Sequence, residues 1–443
     1  MRQWVLGVIL LTGCTSSTVV EKAEPVQLEP TKVEPAKLAA KVPSPDEVAE
    51  LVCGRKSPCH VMLVQPTDLD GVSIAEVSYH PNPQDDGRWK DPDHDAEDWC
   101  HPWELYQVTV TKGDALNARK IAYFCNDGYG SSGVGENFWD VKNGQIEVST
   151  NGGSNWRWGQ GSAMDLRDST VTRVYAQHYF ASAPDVFTWD NWDYESFSGV
   201  SGWSVMSCET EQVLEFEPRV IPTVNLPAAF SEGGWAQTGL GECASVFDAS
   251  GSNGFVIHGA TSSKADTQMK VVAGNDGQLF VEVLDDELKS SQTGNWIHAD
   301  HLEVWVSTTE QPRLAMDCVE PQKPVLWQWG IDATDGQVHP AYGKPGPLEA
   351  EVKRFEGGTR FRVELPTETK HVTVVYSDSD DGKTQERLLA TSPLKFGDYY
   401  TLGSFKQLDQ KRVTCEVDGE SLKRINHPYD GLLGPDFEQA GGF

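Results

Sequence analysis

The chain contains no C-x-x-C pair, no G-x-S-x-G elbow and no H-E-x-x-H segment, and it has little basic charge. The first absence removes support for zinc-ribbon and thioredoxin chemistry. The other two remove the usual signatures of serine hydrolases and zinc peptidases. With 36 Lys and Arg against 66 Asp and Glu, the formal charge is −30. A surface of that sign repels nucleic acid and anionic lipid, which both demand a basic partner. Beyond the first residues, no apolar run is long enough to cross a bilayer, and no long, capped helical stripe occurs.

What is present begins at the N-terminus. Met1-Arg2 is followed by "WVLGVILL", an apolar run of signal-peptide length, so residues 1–13 read as an export signal. Leu11-Thr12-Gly13-Cys14 resembles the lipobox of bacterial lipoproteins. That resemblance implies cleavage before Cys14, acyl chains such as palmitate on that residue, and attachment to a membrane, since two or more chains anchor stably where one is marginal. In that family an aspartate at the place of Thr15 favours inner-membrane retention, so the resemblance implies the outer membrane, on its periplasmic or its exterior side.

Residues 14–48 carry Glu-Pro pairs at 24–25, 29–30 and 34–35 and few apolar side chains. Such a segment cannot build a core and favours an extended, disordered tether. Roughly thirty residues at about 3.1 Å each would reach some 90 Å from the lipid. Of the nine cysteines, all but Cys14 remain for pairing: Cys53, Cys59, Cys100, Cys125, Cys208, Cys243, Cys318 and Cys415. An even number in an exported chain predicts disulfides. If all pair, at least one bridge must cross residue 210, and Cys208–Cys243 would close the shortest such crossing loop.

Short alternating segments such as "VSIAEVSYH", "VTRVYAQHYF" and "HLEVWVS", separated by "NDGYG", "STNGGSN" and "SDSDDG", predict an all-β protein. The expected architecture is two β-sandwich, jelly-roll-like domains after the tether. Prolines in "FEPRVIPTVNLPAAF" place their boundary near residue 210, giving domains 49–210 and 211–443. The first is rich in tryptophan. In "NWRWG", alternation puts Trp156 and Trp158 on one face and Arg157 on the other. Those indoles read either as core or as a platform for a sugar, and core is the better reading because tryptophan is highly buried on average.

In the second half, "DGQLFVEVLDDELKSSQTGNWIHADHLEVWVS" and "FRVELPTETKHVTVVYSDSDDGKTQERLLATSPLKFGDYYTLGSF" resemble family 9 carbohydrate-binding modules, over roughly residues 215 to 405. The resemblance implies a β-sandwich that holds a saccharide between aromatic side chains, and sometimes structural calcium. Trp296 matches the family's loop tryptophan, and Glu303 the acidic residue that accepts from sugar hydroxyls. "LLATSPL" stands where the family's second tryptophan belongs, leaving Tyr399 or Tyr400 as substitutes. Asp378 and Asp380 match the acidic turn. "DLDG" at 68–71 and "SDSDDG" at 377–382 are acidic, but neither completes an EF-hand loop.

His298, His301 and Glu303 also invite a metal reading. A strand over 301–306 would point Leu302, Val304 and Val306 one way and His301, Glu303 and Trp305 the other, leaving His298 in a loop. No third fixed ligand is then evident, and zinc usually takes at least three from the protein. The expectation is therefore a non-catalytic carbohydrate binder using Trp296, Glu303 and His301. The alternatives are a structural or adhesion lipoprotein with a degenerate module, and a hydrolase whose two carboxylates would flank a cleft.

Overall fold

The computed structural model describes residues 41–54, 58–79, 101–126, 134–248, 253–259, 268–285, 287–310, 318, 325–394 and 401–433. Cys14, Cys100, Tyr399 and Tyr400 lie outside these, and Cys125 is described through its backbone alone. The fold is all-β, built of several largely antiparallel sheets packed as sandwiches.

Folded structure starts earlier than the expected end of the tether. Helix α1 (Pro45–Val52) opens with Ser44 as N-cap, Pro45 in its first turn and Glu47 closing a capping box. Val48 is fully buried and packs with Ala75 and Val108, so the helix covers one face of the first sheet. Its end is stapled to the following chain by Cys53–Cys59.

The first sheet runs in chain order through β1 (His60–Pro66), β2 (Val72–Ser78), β3 (His101–Val110) and β4 (Leu116–Asn126). The second, also in chain order, contains β5 (Val134–Lys142), β6 (Gln145–Gly153), β7 (Trp156–Asp165), β8 (Val171–Phe180), β9 (Ala183–Asp193), β10 (Ser198–Met206) and β11 (Val213–Phe216). Tight turns dictate this meander. Asn143 and Gly144, both at positive φ, join β5 to β6 as two-residue hairpin turns require. Asp68 accepts from the Gly144 amide at 2.9 Å, so the acidic "DLDG" segment pins that hairpin. Ile74, Leu105 and Phe124 of the first sheet pack against Ile146, Val148, Met164 and Trp192 of the second.

The second half adds β12 (Val220–Val224), helix α2 (Ala228–Ser231), β13 (Ser245–Asp248), β14 (Phe255–His258), β15 (Gln268–Gly274), β16 (Gln278–Leu284), β17 (His301–Ser307), β18 (Leu326–Asp332), β19 (Val338–Tyr342), β20 (Glu349–Phe355), β21 (Gly358–Glu364), β22 (His371–Asp378), β23 (Arg387–Ala390), β24 (Ser404–Gln407), β25 (Val413–Asp418) and β26 (Ser421–Asn426). One sheet has the order β20-β21-β16-β15-β12-β24, with β13 on β15, and the facing sheet is β14-β23-β22-β17-β18-β19. Between them lies a core of Met269, Val271, Leu279, Val281, Phe361, Leu302, Val304, Trp329, Ile331, Val374 and Tyr376.

Residue 210 does not separate the apolar clusters. Ile146 and Trp192 share one with Phe230, Trp235, Phe280 and Leu422, and Trp203 and Val205 share another with Trp305 and Val375. Cys208 pairs with Cys318 across that position, and Cys243 pairs with Cys415. A bridge does cross residue 210, but it is not Cys208–Cys243, the pair that would have closed the shortest crossing loop. Loop length did not decide the pairing; strand neighbours did. The Leu422 amide donates to the Gly239 carbonyl and the Glu242 amide to the Leu422 carbonyl, which sets fully buried Cys243 beside the β25–β26 hairpin.

Candidate functional site

Strand β17 sits between β18 and β22 and is paired along its whole length on both sides. Alternation runs as the sequence predicts: Leu302, Val304 and Val306 enter the sandwich core, and His301, Glu303 and Trp305 take the other face. That second face is not open to water, however. His301 is 0% exposed, Glu303 7% and Trp305 4%, because the cluster containing Trp203 and Val205 of β10 closes over Trp305.

Trp296 lies in a single 3-10 turn, Trp296–His298, just before the strand. Its ring is half-buried and rests on Gly330 of β18, where an added Cβ would stand 2.1 Å from the indole. Only glycine leaves room for a ring there. The indole runs parallel to His339 of β19 (centroids 5.3 Å, planes 6° apart) and meets His301 edge-on at 4.8 Å. Glu303, Gly330 and His339 are register neighbours, so a row across three strands carries the platform. In the next row, Trp305 and Tyr342 approach to 6.0 Å beside Gln328.

Beneath the rings is a hydrogen-bond network. His301 Nδ1 donates to the Ala299 carbonyl at 2.7 Å, which turns Nε2 toward Glu303 Oε1 at 3.3 Å. Trp305 Nε1 and Gln328 Nε2 both donate to Glu303 Oε2 at 2.9 Å. Burial pushes the Glu303 carboxyl up, but His301, Trp305 and Gln328 together outweigh it and hold the group below the usual carboxylate range. His298 does not join this set; its Nδ1 pairs with Thr293 Oγ1 at 2.7 Å. The structure thus brings Trp296, His301 and Glu303 together. Gln328, Gly330, His339 and Tyr342 were missed, although a lone glycine inside the aromatic strand "LWQWGID" signals close approach of another group.

Of the tryptophan pair of the first half, Trp158 resolves to core, whereas Trp156 is half-buried. Trp158 is 5% exposed, and Trp156 stacks on His178 at 5.3 Å.

Near the same end of the sandwich, Asp285, Asp300 and Asp378 place carboxylate oxygens within 4.8 Å of one another, all buried. Tyr376 donates to Asp285, the Lys289 and Ser379 amides to Asp300, and Arg387 to Asp378. Burial, with Asp285 and Asp378 adding to it against the two amides, pushes Asp300 up to about 8. An all-oxygen, anionic donor set fits a hard cation such as the calcium that the sequence resemblance implies. It equally accepts a proton. Asp378 belongs to this trio rather than to the following turn, Asp380 is exposed, and Asp381 shapes the turn by accepting from the Lys383 and Thr384 amides.

No described helix is long and apolar enough to cross a membrane. No family model matches the chain, and no curated protein and no solved structure matches it either.

Proposed function

We propose that this chain is an envelope lipoprotein, held to a membrane by acyl chains on Cys14, that binds carbohydrate without transforming it. The observation that carries this reading is the Trp296 indole bedded on Gly330, parallel to His339 and only half-buried. A ring held in that way offers a flat apolar surface to the C–H face of a sugar at little entropic cost, because its rotamer is already set. Glu303 steadies Gln328 and Trp305 beside the platform, and the 9% of its side chain still exposed accepts from a sugar hydroxyl.

Trp296→Ala should weaken binding of soluble oligosaccharides about tenfold, the upper end for one aromatic contact. The melting temperature should fall only slightly, since the ring caps the sheet from outside the core. Calorimetry on the full chain with envelope and plant-wall oligosaccharides reads the first quantity, and thermal unfolding the second. Unchanged affinity, or early unfolding of the variant, would count against the site.

The anchor has its own test. Cys14→Ser should move the protein from the detergent-extracted to the soluble fraction, and a variant that still needs detergent would sink the lipobox reading.

A second reading, a structural envelope protein on a binding-module fold, is favoured by how fully the Glu303 oxygens are already engaged. It predicts that no oligosaccharide shifts the melting temperature.

A further inference from the structure

Strand alternation gives the seven-stranded sheet a second face, opposite Trp158 and Trp192. On it stand Phe138, Asn151, Tyr175, Gln177, Phe187, Trp189 and Asn191, set side by side by the β5–β10 register. Phe138, Asn151, Gln177 and Asn191 are exposed, and Tyr175, Phe187 and Trp189 are half-buried.

Two of these rings lie down on glycine. A Cβ at Gly202 would stand 2.1 Å from the Trp189 indole, and one at Gly161 would stand 2.6 Å from the Tyr175 ring. Each ring therefore takes the space that a glycine of the neighbouring strand leaves on this face. Phe187 adjoins Trp189 at 4.8 Å, and Arg173 lies over Tyr175 at 5.5 Å while paired with Glu147 at 2.7 Å. Tyr175 leans onto β7 and Trp189 onto β10, so the two platforms are separated by three strand spacings, about 14 Å. A single sugar ring cannot cover both.

We propose that this face is a second binding site, for a neutral oligosaccharide chain long enough to lie across Tyr175 and Trp189. Polar groups alternate with the rings: Gln177 and Asn191 flank them, and the cleft that continues the face is lined by Asp140, Glu147, Asp193 and Glu195 against Lys142 and Arg173. Acidic groups outnumber basic ones there, so the face repels a polyanion. The amides and glycines break the apolar surface into separate rings, which suits hydroxylated rings in a row better than the continuous apolar patch of a protein partner.

The test uses the full chain carrying Trp296→Ala, so that the platform on β18 does not contribute. Cellohexaose, xylohexaose, mannohexaose and chitohexaose are titrated calorimetrically, with polygalacturonate as the anionic control. At least one neutral hexasaccharide should bind, and adding Trp189→Ala or Tyr175→Ala should weaken it roughly tenfold. Gly202→Val, which would force the indole off the sheet, should do the same, with thermal unfolding confirming that each variant is folded. Failure of all four neutral hexasaccharides to bind overturns the proposal. So does binding of polygalacturonate alone, or affinity indifferent to every one of these substitutions in folded protein.

Discussion

Arg387→Leu should cost the protein on the order of 3–5 kcal/mol, the range for removing one partner of a buried ion pair. Arg387 and Asp378 are 7% and 4% exposed and meet at 3.0 Å. Without the guanidinium, Asp378 loses a buried ion-pair partner beside Asp285 and Asp300. The loss should depend on pH in a definite direction. Asp300 holds its proton up to about 8, above the ordinary aspartate value of 3.8. Its contribution is therefore fully present below the ordinary value and is lost as pH rises through about 8. Asp300 is protonated at pH 5 and charged above pH 8, where it adds to the negative charge that Arg387 offsets, so the variant's deficit should be smaller at pH 5 than above pH 8. Millimolar calcium should raise the melting temperature of both proteins more at pH 8 than at pH 5, because a cation and a proton compete for the same oxygens. Thermal unfolding at the two pH values, with calcium or chelator, measures all of this. A penalty independent of pH would show that the trio is not electrostatically coupled to Arg387.

Replacing Cys243 and Cys415 together by alanine should cost about 5 kcal/mol on the chain-entropy account, since the bridge closes a separation of 172 residues. The same change at Cys53 and Cys59, separated by 6, should cost only about 2 kcal/mol. Position strengthens the contrast: Cys243 is fully buried and Cys415 is 6% exposed, inside the cluster that includes Ile146, Trp192 and Phe280. Losing that bridge should loosen packing on both sides of residue 210 in one transition. Urea unfolding followed by tryptophan fluorescence gives both numbers. Equal costs for the two bridges would mean that native-state contacts, not loop closure, set their worth.

Local pattern determined which residues face together. In "HLEVWV" the alternation assigned Leu302, Val304 and Val306 to one side and His301, Glu303 and Trp305 to the other, and that is how β17 is built. The same rule paired Trp156 with Trp158 against Arg157, and the abundance of short alternating segments and Gly or Asp turns was enough for an all-β fold. These features depend on a backbone period of two, which any strand must obey. What covers each face depends on residues remote in the chain. The face of Glu303 is closed by Trp203, from another sheet, and by Trp296, whose ring needs the space that Gly330 leaves. Cys243 found Cys415 rather than Cys208 because a β-hairpin lies against its segment. Asp285, Asp300 and Asp378 meet only when a strand end, a loop and a second strand end converge. Alternation says where a side chain points, but packing of distant strands decides what it meets, and burial, charge and binding all follow from that meeting.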